Sequence, residues 1–314
     1  MPTLLVCSAT DDLHTLTARL AAEALIHLPD LQVKLWPEPF NAKDVVAVAA
    51  WHPPANLLGT LPRLKLIASI SAGTEHIQRC ADLPPAVPIT RIVDDEQARG
   101  MAEYTLWAAL YYHRGFDQML AQQARGQWRV PAQTPARDFQ VGVLGMGLMG
   151  RQTALCLRDF GFTVSGWSRT PHTLDNIAAY SGETGLTNFL QALDMVVCLL
   201  PLTAATRGLC DRQFFNRMKP GAAFINAGRG EHVVIADLVS ALAQDQLRGA
   251  VLDVFETEPL ASGDTLWRHP KILITPHMAS TASEGTIARQ ITDNMIRLLC
   301  GQPLQHGIDR CLGY

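Results

Sequence analysis

A chain of 314 residues with 48% hydrophobic content is long enough for two domains, each with its own core. The formal net charge of -3, with no dense Lys/Arg run, excludes a general binder of nucleic acid or other polyanions. No apolar run reaches membrane-spanning length. Met1-Pro2-Thr3 leads straight into a strand pattern, without a charged n-region and apolar h-region, so no signal peptide is expected. The seven cysteines (Cys7, Cys80, Cys156, Cys198, Cys210, Cys300, Cys311) are odd in number and never spaced Cys-x-x-Cys. Several fall inside apolar patterns, where a free thiol acts as a small hydrophobe, and a reducing, cytoplasmic setting is expected. His-Glu-x-x-His is absent and the histidines show no ligand spacing, so no metal is expected.

In chain order, Thr3 to Cys7 reads as a strand, Asp11 to His27 as an amphipathic helix and Gln32 to Trp36 as a second strand. Val45 to Trp51 is a buried strand stopped by Trp51-His52-Pro53-Pro54. Leu64 to Ile70 is another, ending in Ser71-Ala72-Gly73-Thr74, and Val87 to Ile92 closes the run. Strands alternating with helices predict a parallel α/β sheet. A long helix is expected from Glu96 to about Gln127, joining two units. Tyr104, Trp107, Tyr111 and Tyr112, at near-helical spacing, suggest burial against a partner or the neighbouring domain. Trp128 to Arg137, with Pro131 and Pro135, reads as a loop.

The second unit opens on a short apolar strand, Phe139 to Leu144, that runs into Gly145-Met146-Gly147-Leu148-Met149-Gly150 and then a helical pattern. Gly-x-Gly-x-x-Gly between strand and helix points to a dinucleotide. The first glycine permits the tight turn, the second lets a pyrophosphate approach the backbone and the third lets the helix pack close to the sheet. The anion would sit on free N–H groups at the helix N-terminus. The next strand, Thr163 to Trp167, is followed by Ser168, Arg169 and Thr170 where an NAD-preferring site places Asp or Glu. A hydroxyl and a guanidinium suit a 2′-phosphate, so NADPH is expected over NADH.

Later strands are Met195 to Leu200, Ala223 to Asn226, Ala250 to Val254 and Ile272 to Thr275. Ligands of open parallel sheets bind beyond the carboxyl ends of the strands, and three chemically useful residues follow those ends. Arg229, between Gly228 and Gly230, offers a planar fork that suits a carboxylate and can polarise a carbonyl. His277, after Thr275-Pro276, could give a proton to a carbonyl oxygen as hydride arrives. Glu258, before Pro259, could accept the other imidazole N–H and stabilise the cation. Singly, each has a plain structural alternative: a solvated arginine, a structural histidine, a Glu-Pro turn with Glu256 close by. Ser283 to Cys300 reads as a last amphipathic helix, stopped by Gly301 and Pro303, and the tail from Gln305 is expected to return to the first unit.

These motifs, with Leu252-Asp253-Val254-Phe255 and Glu258-Pro259-Leu260, make the chain resemble the D-isomer-specific 2-hydroxyacid dehydrogenases over nearly its whole length. More narrowly, Trp51-His52-Pro53-Pro54, Trp167-Ser168-Arg169-Thr170 and the terminal Gly313-Tyr314 resemble the NADPH-dependent glyoxylate/hydroxypyruvate reductase A group. The resemblance implies two Rossmann-like, doubly wound parallel-sheet domains. A cofactor domain (101–280, with the linking helix at its start) would be inserted into a discontinuous substrate domain (1–100 and 281–314).

It further implies that Arg229 binds the carboxylate of a small 2-oxo acid, with His277 as acid/base and Glu258 as its partner. Ser71, Ala72 and Gly73 would offer backbone N–H groups to that carboxylate, and Trp51 would border the pocket. The glycine motif, Trp167 to Thr170, Leu200, Pro201, Thr206, Ala227, Gly228, Arg229, Asp253, His277 and Ala279 would line the cofactor. Asp253 would lie near the nicotinamide, the alternative being a helix or turn cap. A homodimer built around the linking helix is implied. Two other readings remain at this point: a dinucleotide-sensing module of the same fold, and a dehydrogenase for a bulkier 2-oxo acid.

Overall fold

The computed structural model describes residues 1–170, 173–310 and 312; Cys311 and the Gly313-Tyr314 motif lie outside the described residues. The chain divides into two compact units, 1–94 with 281–314, and 95–280. The linking helix thus lies at the start of the second unit.

The first unit opens with β1 (Thr3–Ser8), α1 (His14–His27), β2 (Gln32–Leu35), β3 (Val45–Trp51), β4 (Leu66–Ser69), α2 (Glu75–Gln78) and β5 (Ile89–Thr90). The strands form a parallel sheet in the order β2-β1-β3-β4-β5. Every residue of β1, and every residue of β3 except Trp51, is buried, because both sheet faces are covered and an alternating pattern would strand polar groups.

The second unit contains α3 (Asp95–His113), α4 (Phe116–Ala124), β6 (Gln140–Leu144), α5 (Leu148–Phe160), β7 (Thr163–Ser168), β8 (Ala178–Ser181), α6 (Gly182–Gln191), β9 (Met195–Cys198), α7 (Arg212–Arg217), β10 (Ala222–Asn226), α8 (Ile235–Ala243), β11 (Leu247–Leu252) and β12 (Ile272–Ile274). Its parallel sheet runs β12-β11-β10-β9-β6-β7-β8, so the strand order reverses at β6, where the glycine turn begins. A ligand crevice belongs beyond the strand ends at such a switch. One face packs Phe189, Phe214, Phe215 and Leu238 from α6, α7 and α8; the other packs Ala108, Ala109 and Tyr112 of α3 with Ala154 and Leu157 of α5. Each such fully buried large apolar side chain contributes on the order of 2 kcal/mol.

The chain then re-enters the first unit as α9 (Glu284–Leu299), capped by the Ser283 hydroxyl on Thr286 N at 3.1 Å. Its Ile287, Ala288, Ile291 and Met295 pack with Leu16 and Leu20 of α1.

The extents of one helix and one strand are corrected. The single helix from Glu96 to Gln127 is two helices, broken at Gly115, whose φ of +73° no continuing helix adopts. The buried face of α3 packs on α5 of its own unit, leaving Trp107 partly exposed. The strand placed at Ala250 to Val254 runs Leu247–Leu252, which puts Asp253 just past its end.

Candidate active site

At the β6 end, Gly145 turns with φ +97°, and a Cβ there would lie 2.7 Å from the Leu199 carbonyl oxygen. A Cβ on Gly150 would fall 1.7 Å from the Gly145 carbonyl oxygen, so only glycine lets α5 pack this close. A Cβ on Gly147 would meet nothing within 4 Å. The space beside Gly147 is therefore open, at a helix N-terminus with no side-chain cap, which fits a pyrophosphate. Met146 is buried against Gly166 of β7, Leu148 is partly exposed, and Met149 packs beside Met101, Ala227 and Ala279.

At the β7 end, the Trp167 indole N–H donates to the Gly182 carbonyl (2.9 Å) and the Ser168 hydroxyl to the Thr170 carbonyl (2.6 Å). Arg169 and Thr170 are exposed, and residues 167 to 170 include no carboxylate. After β9, Leu200 is buried, and the Pro201 carbonyl accepts from the Thr206 hydroxyl at 2.7 Å. Thr206 thus closes its own loop.

The three chemical residues sit on the next three strand ends. After β10, buried Asn226 holds the arginine loop from inside: its amide donates to the Arg229 carbonyl (2.9 Å) and its carbonyl accepts from Gly228 N (3.2 Å). Gly230 brings this loop against the next, since a Cβ there would lie 2.0 Å from the Phe255 carbonyl carbon. The Arg229 Nη1 donates to the Gly228 carbonyl at 2.7 Å. After β11, the Asp253 carboxylate accepts from the Thr275 hydroxyl (2.6 Å), Met278 N (2.9 Å) and Ala279 N (3.0 Å).

Those donors build the turn after β12 that carries His277, a residue at φ +50°. A non-glycine residue there needs an over-determined turn, which Asp253 supplies, with His277 N also donating to its carbonyl at 2.8 Å. The Tyr104 hydroxyl of α3 lies 2.7 Å from Thr275 Oγ1. The Thr275 proton goes to a carboxylate, so Tyr104 is the donor of that bond. The Asp253 carboxylate and the Ala279 N–H, both expected along the cofactor, are thus engaged with each other.

His277 Nδ1 is 2.7 Å from Glu258 Oε2, and Glu258 Oε1 accepts from Phe255 N at 2.8 Å. Partial burial pushes the Glu258 pKa upward. The His277 hydrogen bond, the Phe255 N–H and the charges of His277 and Arg229 outweigh burial and hold it below the usual glutamate range. Glu258 is therefore ionised, and Glu258 rather than Glu256 pairs with the histidine. Arg229, Glu258 and His277 form one electrostatic group, with His277 Nε2 on the far side of the ring from the carboxylate.

In the first unit, Trp51 ends β3, its ring centroid 4.7 Å from that of His52 and 4.4 Å from that of His76. After β4, Ser71 N donates to Ser69 Oγ at 3.2 Å, so one of the three expected amide donors is already engaged. Asn226, Tyr104 and Thr275 carry no pattern that singles them out as supports; only adjacency to the Ala-Gly-Arg-Gly and Thr-Pro-His motifs marks two of them.

Residues 106–279 match the family model of the D-isomer specific 2-hydroxyacid dehydrogenase NAD binding domain. The chain is also 37% identical to glyoxylate/hydroxypyruvate reductase A of Serratia proteamaculans over 91% of its length and 93% of that protein. The chain belongs to the D-isomer-specific 2-hydroxyacid dehydrogenase family. It is an NAD(P)-dependent oxidoreductase of that family, with two parallel α/β sheets.

Two solved structures of this dehydrogenase family are similar throughout. A D-isomer specific 2-hydroxyacid dehydrogenase from Xanthobacter autotrophicus Py2, in complex with NADPH and MES, has a TM-score of 0.92 at 35% identity, over 100% of this chain and 99% of that one. The NADPH-dependent glyoxylate/hydroxypyruvate reductase of Sinorhizobium meliloti, in complex with NADP and sulfate, has a TM-score of 0.91 at 30% identity, over 100% of both chains. Among the described residues no helix is long and apolar enough to cross a membrane.

Proposed function

We propose that this dehydrogenase reduces a small 2-oxo acid, glyoxylate or hydroxypyruvate, to the D-2-hydroxy acid with NADPH. The observation that carries the reading is the Glu258–His277 pair within electrostatic reach of Arg229, at the sheet edge that also holds the open Gly147 turn. Similarity to glyoxylate/hydroxypyruvate reductases supports the substrate class, and Ser168-Arg169-Thr170 supports the 2′-phosphate.

When bound, the reduced nicotinamide supplies a hydride to the carbonyl carbon. Arg229 binds the substrate carboxylate through its planar fork and meets the charge that grows on the carbonyl oxygen. His277 donates the Nε2 proton to that oxygen. Glu258 holds the opposite N–H, so the ring stays oriented and its cation is compensated before transfer. The N-terminus of α5 would hold the pyrophosphate through backbone N–H groups, and Arg169 would hold the 2′-phosphate beside Ser168.

We read the protein as a cytoplasmic homodimer. Phe116, Leu120, Trp128 and Val130 are exposed on one stretch of chain, which supports self-association. Light scattering in solution tests the dimer.

The deciding assay follows the loss of reduced-nicotinamide absorbance with a panel of 2-oxo acids and each cofactor. Fast turnover of glyoxylate or hydroxypyruvate with NADPH supports the reading. Turnover of bulkier acids alone moves the substrate class, and tight dinucleotide binding without turnover removes the catalytic assignment.

A further inference from the structure

His232 lies three residues past Arg229 and is fully buried, behind the arginine loop. Its ring stands between two loops of the same sheet edge. Nδ1 is 3.1 Å from the Arg229 backbone N, and Nε2 is 3.3 Å from the Pro201 carbonyl oxygen. A backbone N–H only donates and a carbonyl oxygen only accepts, so both neighbours select one tautomer: a neutral ring with its proton on Nε2. Cys198 Sγ also lies 3.7 Å from Nδ1. A thiolate–imidazolium pair there would need a proton on Nδ1, the lone pair that the Arg229 N–H already occupies.

The tie is reciprocal, because His232 N donates back to the Arg229 carbonyl at 3.2 Å. It is also tightly fitted: a Cβ on Gly228 would sit 3.1 Å from the ring. On the other side, the Pro201 carbonyl accepts from both Thr206 and His232, which fills its two lone pairs. The ring therefore braces the turn that carries Arg229 against the loop expected along the cofactor.

We propose that His232 is a positioning residue that sets the Arg229 backbone through Nδ1 and the Pro201 loop through Nε2, one bond serving the oxo-acid subsite and the other the cofactor subsite. The proposal rests on the reading of Arg229 as the carboxylate ligand and of Pro201 as a cofactor neighbour.

Two substitutions separate the two bonds. Glutamine places an amide donor where the ring carries Nε2, and asparagine places a carbonyl acceptor where it carries Nδ1. His232→Gln keeps the Pro201 bond and loses the Arg229 bond. The KM for glyoxylate rises about tenfold, while the NADPH Kd by fluorescence stays within about twofold. His232→Asn reverses the pattern, with KM kept and the NADPH Kd raised about tenfold. Melting temperatures are measured on both.

Equal shifts of KM and Kd in the two variants, or shifts that only follow lost stability, overturn the proposal, as does no shift in either. Arg229→Lys is run alongside. If it raises KM and His232→Gln does not, the positioning role fails alone. If Arg229→Lys leaves KM unchanged, the reading of Arg229 fails, and the cofactor response of His232→Asn decides the remaining half.

Discussion

Two turns at the same sheet edge are built in opposite ways. The turn after β12 carries His277 at a left-handed φ and is held by three donors to one buried carboxylate, a tyrosine behind them and a glutamate on the imidazole. At the other, Ser168 ends β7 and donates its hydroxyl to the Thr170 carbonyl, and Arg169 and Thr170 beyond it are exposed. A proton donor must stay within a fraction of an ångström of its target, so its turn is over-determined. A phosphate is large, symmetric and charged, and a long guanidinium suffices for it. Substitutions in the first turn should therefore cost both rate and stability, and those in the second should change cofactor choice alone.

The largest expected effect breaks the first turn at its chemistry. His277→Ala removes the acid/base, and kcat should fall about a thousandfold, roughly 4 kcal/mol of barrier, with NADPH still bound. Stopped-flow kinetics and cofactor fluorescence on one preparation check this; loss of cofactor binding would make His277 structural. Next is Asp253→Ala, which leaves the Thr275 hydroxyl and the Met278 and Ala279 N–H groups without their acceptor. We expect a loss of about 2–4 kcal/mol in stability by urea unfolding, with a fall in kcat as His277 loses its turn. Full stability with weakened cofactor binding would instead make Asp253 a cofactor ligand.

The same contrast explains what could be read from the sequence. Strands and their polar ends were legible because parallel strands are apolar throughout and glycine, proline and charge collect where they stop. Arg229, Glu258 and His277 fall at those ends. The break at Gly115 was hidden, since glycine inside an Ala/Leu/Gln-rich stretch reads as a tolerated weak spot. The edge strand Ala178–Ser181 was missed because two of its four residues are exposed alanines with little strand preference. Tyr104 meets Thr275 and His232 meets Pro201 from distant parts of the chain, and no local pattern marks such a partner; Asn226 bonds its own loop, where only adjacency to the Ala-Gly-Arg-Gly motif marks it.

The second turn should respond to charge alone. Ser168→Asp places a carboxylate where a 2′-phosphate is expected, and the ratio of kcat/KM for NADPH over NADH should fall about tenfold to a hundredfold. An undiminished NADPH preference would move the 2′-phosphate away from β7.

The smallest expected effect concerns Glu258, which joins the catalytic histidine to the fold. Its pKa in the folded protein lies below the ordinary 4.5, held there by the His277 bond, the Phe255 N–H and nearby positive charge against the opposing effect of burial. The unfolded chain therefore binds this proton more readily than the folded one. The group adds stability above about pH 4.5, and that share is lost as pH falls through its lowered folded value. With its side chain 33% exposed, solvent screening keeps the contribution small, under about 1 kcal/mol. Glu258→Gln should melt slightly below the parent protein at neutral pH, and the two curves should converge in acid. A gap that stays constant into acid would mean that the carboxylate acts there through packing, leaving the charge on His277 uncompensated by its partner.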